Sequence, residues 1–276
     1  MGLLDGKVAI VTGAGGGLGR CHALALAKEG AKVVVNDLGG ARDGTGSGTA
    51  MADRVVQEIR EAGGEAAPNF ASVSSMNGAQ SVVQTAIDTF GRIDIVVNNA
   101  GILRDKSLLK MEESMWDVVM AVHLKGTFAV TQAAARVMKE QATGGRIINT
   151  SSIAGLVGNF GQANYGAAKA GIAGFTRVAA IELMKSEIMV NAIVPIAKTR
   201  MTEDVAFVPD DMLPEHISPI IVFLASDLSK GVTGRLFSVM GPKIQEYKYL
   251  VTDGAKAAGA MWTAQEIADR FNEITK

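Results

Sequence analysis

The chain has 276 residues, 27 Lys and Arg against 28 Asp and Glu, and 48% hydrophobic residues. That length admits one or two domains, and the apolar content exceeds what a disordered chain carries. Balanced charge without a basic run argues against nucleic-acid or polybasic membrane binding, and the single cysteine, Cys21, allows no internal disulfide and fits a reducing, cytoplasmic setting.

The first residues lack a charged n-region and a long apolar core, so no secretory signal is expected. No uninterrupted apolar run approaches the ~18 residues of a membrane span, and no membrane insertion is expected. Val8–Val11 predicts a first strand. A glycine cluster follows, then a helix over Cys21–Gly30 that stops at a glycine. Val33–Val35 is a second strand, and a helix is expected from about Thr49 to Ala62. A third short strand ends near Phe70, and residues 76–90 form a helix. Ile93–Val97 and Arg146–Thr150 are strands separated by a long helical stretch. After a second long helix come Ile188–Val194 and Leu236–Met240. Continuous apolar strands alternating with helices predict an α/β fold. Its expected form is a single Rossmann-like, doubly wound parallel sheet of about seven strands with helices on both faces. One domain over 1–276 is the expected organisation.

Two segments interrupt the alternation. Gly39–Gly48 holds five glycines in ten residues and is expected to be a mobile loop. Residues 198–219 hold three of the six prolines, with Met201, Phe207, Val208 and Met212 among acidic residues, and are expected to form a lid. A C-terminal extension over about 242–276 contains Thr263-Ala-Gln-Glu266, a capping-box pattern that opens a helix running towards the end.

Thr12-Gly-Ala-Gly-Gly-Gly-Leu-Gly19 stands between the first strand and the first helix. Gly13, Gly17 and Gly19 would let backbone N–H groups and a helix N-terminus approach a pyrophosphate, where a Cβ would intrude. Asp37 ends the second strand, and a carboxylate there accepts from the adenosine ribose hydroxyls and repels a 2′-phosphate. NAD is therefore expected over NADP, with Arg42 in the glycine loop the one residue that would favour the phosphorylated form. Tyr165-Gly-Ala-Ala-Lys169 puts a phenol and an ammonium one helical turn apart on one face. The lysine is expected to lower the phenol pKa from its usual ~10. Ser152 lies thirteen residues before Tyr165, at the C-terminal end of the fifth strand, where open α/β sheets bind ligands.

With Asn98-Asn-Ala-Gly101, these motifs occur in an order and at distances that resemble the short-chain dehydrogenase/reductase family over essentially the whole chain. The resemblance implies that Tyr165 is the general acid/base, that Lys169 holds the nicotinamide ribose and tunes the tyrosine, and that Ser152 hydrogen-bonds the substrate oxygen. It implies cofactor contacts from Gly13, Gly17, Leu18, Gly19, Asp37, Ser72, Val73, Asn99, Ala100, Gly101, Tyr165, Lys169 and Thr199. A narrower similarity rests on Val35–Gly40, Val97–Asp105, Val122–Gly126 and Gly158–Tyr165. These segments resemble the (3R)-hydroxyacyl-CoA dehydrogenase unit of the peroxisomal multifunctional enzyme type 2 family. The hydratase and sterol-carrier units of that family do not follow before Lys276, and the expectation is a stand-alone dehydrogenase.

Three positions depart from the wider family. His123 stands where an active-site Asn is usual, and it either takes over through a ring nitrogen, leaves its backbone carbonyl to act, or is structural. Ala71, beside Ser72, replaces an adenine-binding Asp, and Pro195-Ile196 replaces Pro-Gly.

The expected reaction is NAD-dependent oxidation of a 3-hydroxyacyl-CoA to the 3-oxoacyl-CoA. The alternatives are a hydroxysteroid or steroid side-chain-CoA dehydrogenase and a nucleotide-binding regulator without catalysis. Arg104, Lys106, Lys198 and Arg200 are candidates for the CoA phosphates. The resemblance implies a homodimer or homotetramer built on residues 113–140 and 163–184, with small residues such as Ala133–Ala135, Ala167 and Ala168 allowing close helix packing. Cys21 and His22 are expected to be packing residues, and no metal site is expected.

Overall fold

The computed structural model describes residues 2–199, 209 and 211–276. Arg200, Met201, Phe207 and Val208 of the expected lid lie outside the described residues. The chain separates into two compact units, 1–246 and 247–276.

In the first unit, β1 (Val8–Thr12), β2 (Lys32–Asn36), β3 (Ala66–Asn69), β4 (Ile95–Asn98), β5 (Gly145–Thr150), β6 (Ile188–Ile196) and β7 (Leu236–Met240) alternate with helices. With β8 (Lys243–Tyr247) they form an eight-stranded sheet ordered β3-β2-β1-β4-β5-β6-β7-β8, one strand more than expected. Lys243-Ile-Gln-Glu-Tyr247 escapes a search for apolar runs because its residues are exposed or half-buried at the sheet edge. From β3 to β7 neighbouring strands pair in parallel, with Ile10 opposite Val34 on one side and Val96 on the other.

The helices are α1 (Gly17–Lys28), α2 (Ala50–Glu61), α3 (Met76–Phe90), α4 (Glu113–Met120), α5 (Gly126–Gln141), α6 (Ile153–Leu156), α7 (Ala163–Leu183) and α8 (Ser218–Ala225). They cover both faces of the sheet. Ala9 and Val11 of β1 pack into the layer containing Ala23, Val55 and Ile221, whereas Val8 and Ile10 pack with Val82, Val130 and Ala179. This alternation is the two-residue period of a strand buried on both sides. Each wholly buried Val or Ile adds about 1.5–3 kcal/mol over leaving it exposed.

The first helix opens at Gly17, four residues before the expected start, inside the glycine motif. Among the described residues, one helical run, Glu113–Gln141, is long and apolar enough to cross a membrane by length and composition. Its residues Ala129, Val130, Ala134 and Met138 are buried in the second core layer, so its apolar character serves the fold. The small residues singled out for helix pairing are largely consumed within the chain as well: Ala134, Ala135 and Ala168 are buried. The exposed apolar side chains of α5 and α7 are instead Phe128, Val178 and Ile181.

In the second unit, Thr263 caps α9 (Ala264–Asp269) by accepting from the Glu266 N–H at 3.1 Å, as the capping-box pattern predicts. The Glu266 carboxylate does not return to Thr263; it accepts from the Ala258 N–H at 2.8 Å and from Arg270 at 3.3 Å. The helix breaks at Arg270, and α10 (Phe271–Ile274) is a separate turn.

Candidate active site

The strand order reverses direction beside β1 and β4, and the chain segments leaving these two strands frame a cleft of about 370 Å³. Gly13 holds φ +63°, and a Cβ there would come 2.7 Å from Ala100 Cα. A Cβ on Gly19 would run into the Gly13 carbonyl. The two glycines thus let the turn lie flat between α1 and the β4 loop. Gly13, Gly16, Gly17 and Leu18 line the cleft; Gly19 does not, and its contribution is packing beneath the turn.

Asn99 ties the turn to β4: its side chain donates to Thr12 O at 3.0 Å and Gly13 O at 3.1 Å. Thr12 Oγ1 accepts from the N–H groups of Asn99 and Ala100, both at 3.1 Å. Asp37 follows β2, its Oδ2 accepting from Gly15 N–H at 2.8 Å and its Oδ1 from Gly39 N–H at 2.7 Å. Asp37, Ser72, Val73, Asn99, Ala100, Gly101 and Thr199, all expected cofactor residues, line this cleft. Arg54, missed in the sequence, lines it too and donates to Gly15 O at 3.2 Å. No local motif marks Arg54; its position follows from packing of α2 beside the turn.

A second cleft of about 310 Å³ contains Ser152, Tyr165, Lys169, His123 and Thr150. Leu18, Asn99, Gly101 and Thr199 line both clefts, so the two are continuous. Pro195 and Ile196 form part of the second wall. Tyr165 and Lys169 share a face of α7, with Lys169 Nζ 5.4 Å from the phenol ring centroid. The ammonium donates to Thr150 O at 2.7 Å, and Ser151 Oγ donates to Lys169 O at 2.9 Å. Ser152 Oγ accepts from Ala154 N–H at 3.2 Å as the cap of α6, and Ser152 lines the same cleft as the Tyr165 phenol.

Burial reverses the expected direction of the phenol. It pushes Tyr165 up to about 12, outweighing the hydrogen bond from Ser152, while the Asp105 charge adds to the rise. Lys169 is itself pushed down to about 7 by burial. At neutral pH the phenol therefore stays protonated, while the lysine is poised near the midpoint between its charged and uncharged forms.

His123 is buried on a π-helical turn, Ala121–Lys125, between α4 and α5. Its Nε2 faces the Ile102 backbone, 2.8 Å from the carbonyl and 3.0 Å from the N–H. Its ring meets that of Tyr165 edge-on, 5.2 Å between centroids. A Cβ on Gly101 would strike His123 Cε1, which explains the glycine. Burial and the Lys169 charge push the imidazole down to about 3. His123 Nδ1 and Thr150 Oγ1 are buried polar atoms without a protein partner, and both residues line the second cleft.

Behind the cleft runs a buried amide–hydroxyl ladder. Asn98 Nδ2 donates to Thr131 Oγ1 and Asn149 Oδ1, and Asn149 Nδ2 donates to Thr176 Oγ1, all at 2.9 Å. It fixes β4 and β5 to α5 and α7, the elements that present Tyr165 and Lys169. Asn98 belongs to the Asn98-Asn-Ala-Gly101 motif, whereas Asn149 and Thr176, which continue the ladder, carry no local signal in the sequence.

Of the candidates for CoA phosphates, Arg104 is engaged elsewhere: its Nε donates to Asp43 O at 2.6 Å. Arg200 lies outside the described residues. No group of three or more His, Cys, Asp or Glu able to hold a metal occurs among the described residues.

The short chain dehydrogenase profile matches residues 7–207. A solved short chain dehydrogenase from Mycobacterium avium superposes with a TM-score of 0.89 at 47% identity, covering 99% of this chain and 96% of that one. Peroxisomal multifunctional enzyme type 2 of Mus musculus is 47% identical over 98% of this chain, which spans only 37% of that protein. The hydroxyacyl-CoA dehydrogenase ChsB1 of Mycobacterium tuberculosis is 43% identical over 87% of this chain and 79% of its own length. The profile match and the full-length likeness agree with the glycine turn, the reversed strand order and the Tyr165–Lys169 pair, and the chain belongs to the short-chain dehydrogenase family of oxidoreductases.

Proposed function

We propose that the protein oxidises a 3-hydroxyacyl-CoA to the 3-oxoacyl-CoA with NAD, using Ser152, Tyr165 and Lys169. The observation that carries this reading is the continuity of the two clefts. The phenol, its serine partner and a buried lysine open onto the space that the glycine turn and Asp37 line. The names of relatives support the hydroxyacyl substrate class.

The residues fit a dinucleotide. The N-terminus of α1 and the Cβ-free turn suit a pyrophosphate. Asp37 is held by two backbone N–H groups yet keeps lone pairs for ribose hydroxyls, and its charge opposes a 2′-phosphate. Arg54 already donates to Gly15 O. The orphaned Thr150 Oγ1 and His123 Nδ1 mark polar positions beside Lys169 that a ligand or water satisfies.

When bound, oxidised nicotinamide supplies the hydride acceptor and a positive charge. Ser152 Oγ hydrogen-bonds the substrate hydroxyl and orients it towards Tyr165. Tyr165 Oη, as phenolate, takes the hydroxyl proton; Lys169, held on Thr150 O, stabilises that phenolate when protonated. His123 is a positioning residue: its ring packs against Tyr165 while Nε2 holds the Ile102 backbone.

Initial rates over a series of 3-hydroxyacyl-CoA lengths, both enantiomers and one steroid side-chain-CoA, each with NAD and NADP, test the proposal. Turnover of acyl-CoA with preference for NAD is expected. NADH binding without turnover of any alcohol would favour a regulator, and preference for NADP would overturn the role given to Asp37.

A further inference from the structure

The glycine-rich segment after Asp37 is not a loose connection. Within it, Gly48 N–H donates to Leu38 O at 2.9 Å and Ala41 N–H to Thr45 O at 2.8 Å. Gly39, Gly44 and Gly46 adopt φ of +76°, +84° and +76°, which favours glycine at these positions. From its start beside β2 the segment crosses the first cleft and attaches to the loop that follows β4. Leu103 N–H donates to Arg42 O at 3.0 Å, and Ile102 packs so closely on Gly44 that a Cβ there would lie 2.9 Å from its Cδ1. The side-chain link is Arg104: Nε donates to Asp43 O at 2.6 Å and the guanidinium stands 3.8 Å from the Asp43 carboxylate. Gly40, Ala41, Gly44 and Ile102 line the cleft beneath this crossing.

Arg104 also reaches the catalytic helix. Its carbonyl accepts from Asn164 Nδ2 at 3.0 Å, and Asn164 Oδ1 accepts from the Tyr165 N–H at 2.7 Å. One residue therefore joins the crossing segment through its side chain and the base of Tyr165 through its backbone.

We propose that residues 39–48 form a strap over the cofactor cleft and that Arg104 is its latch, a positioning residue that sets how fast the dinucleotide leaves. The inference rests on the dinucleotide reading above. On this reading a dinucleotide in the first cleft, which Gly40, Ala41 and Gly44 line, would leave faster once the Arg104–Asp43 contacts open. Of the two Arg104 contacts, the charge-assisted hydrogen bond to a backbone carbonyl outweighs the exposed ion pair at 3.8 Å.

Stopped-flow displacement of NADH from the full chain, followed by cofactor fluorescence, measures the latch. Arg104→Ala should release NADH about tenfold faster than the unmodified protein. Asp43→Ala, at an exposed site that retains the backbone acceptor, should accelerate release by about threefold or less. Arg104→Ala should raise the KM for NAD while the KM for acyl-CoA stays within about twofold and kcat does not fall. NADH release from Arg104→Ala at the unmodified rate would overturn the latch. So would parallel losses in kcat and both KM values together with a lowered Tm, which would make Arg104 a fold residue. An unmodified protein that binds neither NADH nor NADPH would instead sink the dinucleotide reading itself.

Discussion

His22 and His123 are both buried, both pushed down to about 3, and both leave one ring nitrogen without a protein partner. By burial and titration alone they are indistinguishable. Their surroundings separate them. His22 lies on α1, its Nδ1 3.0 Å from Ser218 Oγ of α8, and it lines neither cleft of the candidate site. Beside it, Cys21 Sγ lies 3.6 Å from Glu215 Oε1. His123 instead sits on a π turn, holds the Ile102 backbone and packs edge-on against Tyr165, with the Lys169 charge adding to its shift. A depressed imidazole is thus a sign of burial, and only its neighbours assign it to chemistry.

The largest test of this contrast is Tyr165→Phe. Losing the hydroxyl beside His123 should reduce turnover by ~10²-fold or more while NADH affinity stays within a few-fold. Near-normal turnover in steady-state assays would remove the chemistry from the His123 side altogether.

Next come the histidines themselves. His123→Ala should lower kcat by about tenfold, because Tyr165 loses its ring neighbour and Ile102 its holder. His22→Ala should cost about 2–3 kcal/mol in urea unfolding through the cavity it leaves, with kcat changed less than twofold. A comparable kcat loss in both variants would erase the distinction.

A third test uses pH. Between about 3 and 6.5 the unfolded chain binds a proton at each of these histidines that the folded chain excludes. Stability therefore falls as pH drops through that window, at up to about 1.4 kcal/mol per pH unit per histidine. His22→Phe should remove one of the two contributions and flatten the slope of unfolding free energy against pH. An unchanged slope would mean that His22 titrates normally.

The smallest expected effect is that of Ser218→Ala. It removes the hydroxyl partner of the His22 ring and should cost about 1 kcal/mol in thermal unfolding without altering NAD or acyl-CoA kinetics. A change in the KM for NAD would connect α8 to the cofactor cleft and weaken the view of His22 as a packing residue.

Much of the site was legible before any coordinates. The glycine turn, Asp37 at the end of β2, and Tyr165 and Lys169 on one helical face each depend on a short stretch of chain with its own periodicity or turn chemistry. The direction of the Tyr165 shift was not legible. A lysine four residues away predicts a depressed phenol, yet the same fold that brings them together removes both from water, and desolvation sets the direction for each.

Sequence by itself determined the doubly wound parallel sheet, because apolar runs of strand length between helical stretches leave few arrangements open, whereas the place where the strand order reverses came from the structure. It also singled out the glycine turn and the Tyr165–Lys169 pair, which the structure brings to two adjoining clefts. Tertiary structure alone decided that Arg104 bonds Asp43 in the glycine segment, that Arg54 borders the first cleft, and that Asn98, Asn149 and Thr176 form one ladder. These contacts join residues 27 to 61 positions apart, and their partners carry no local pattern. The β8 edge strand escaped for a related reason: its residues are too exposed to show the apolar run by which the buried strands announce themselves.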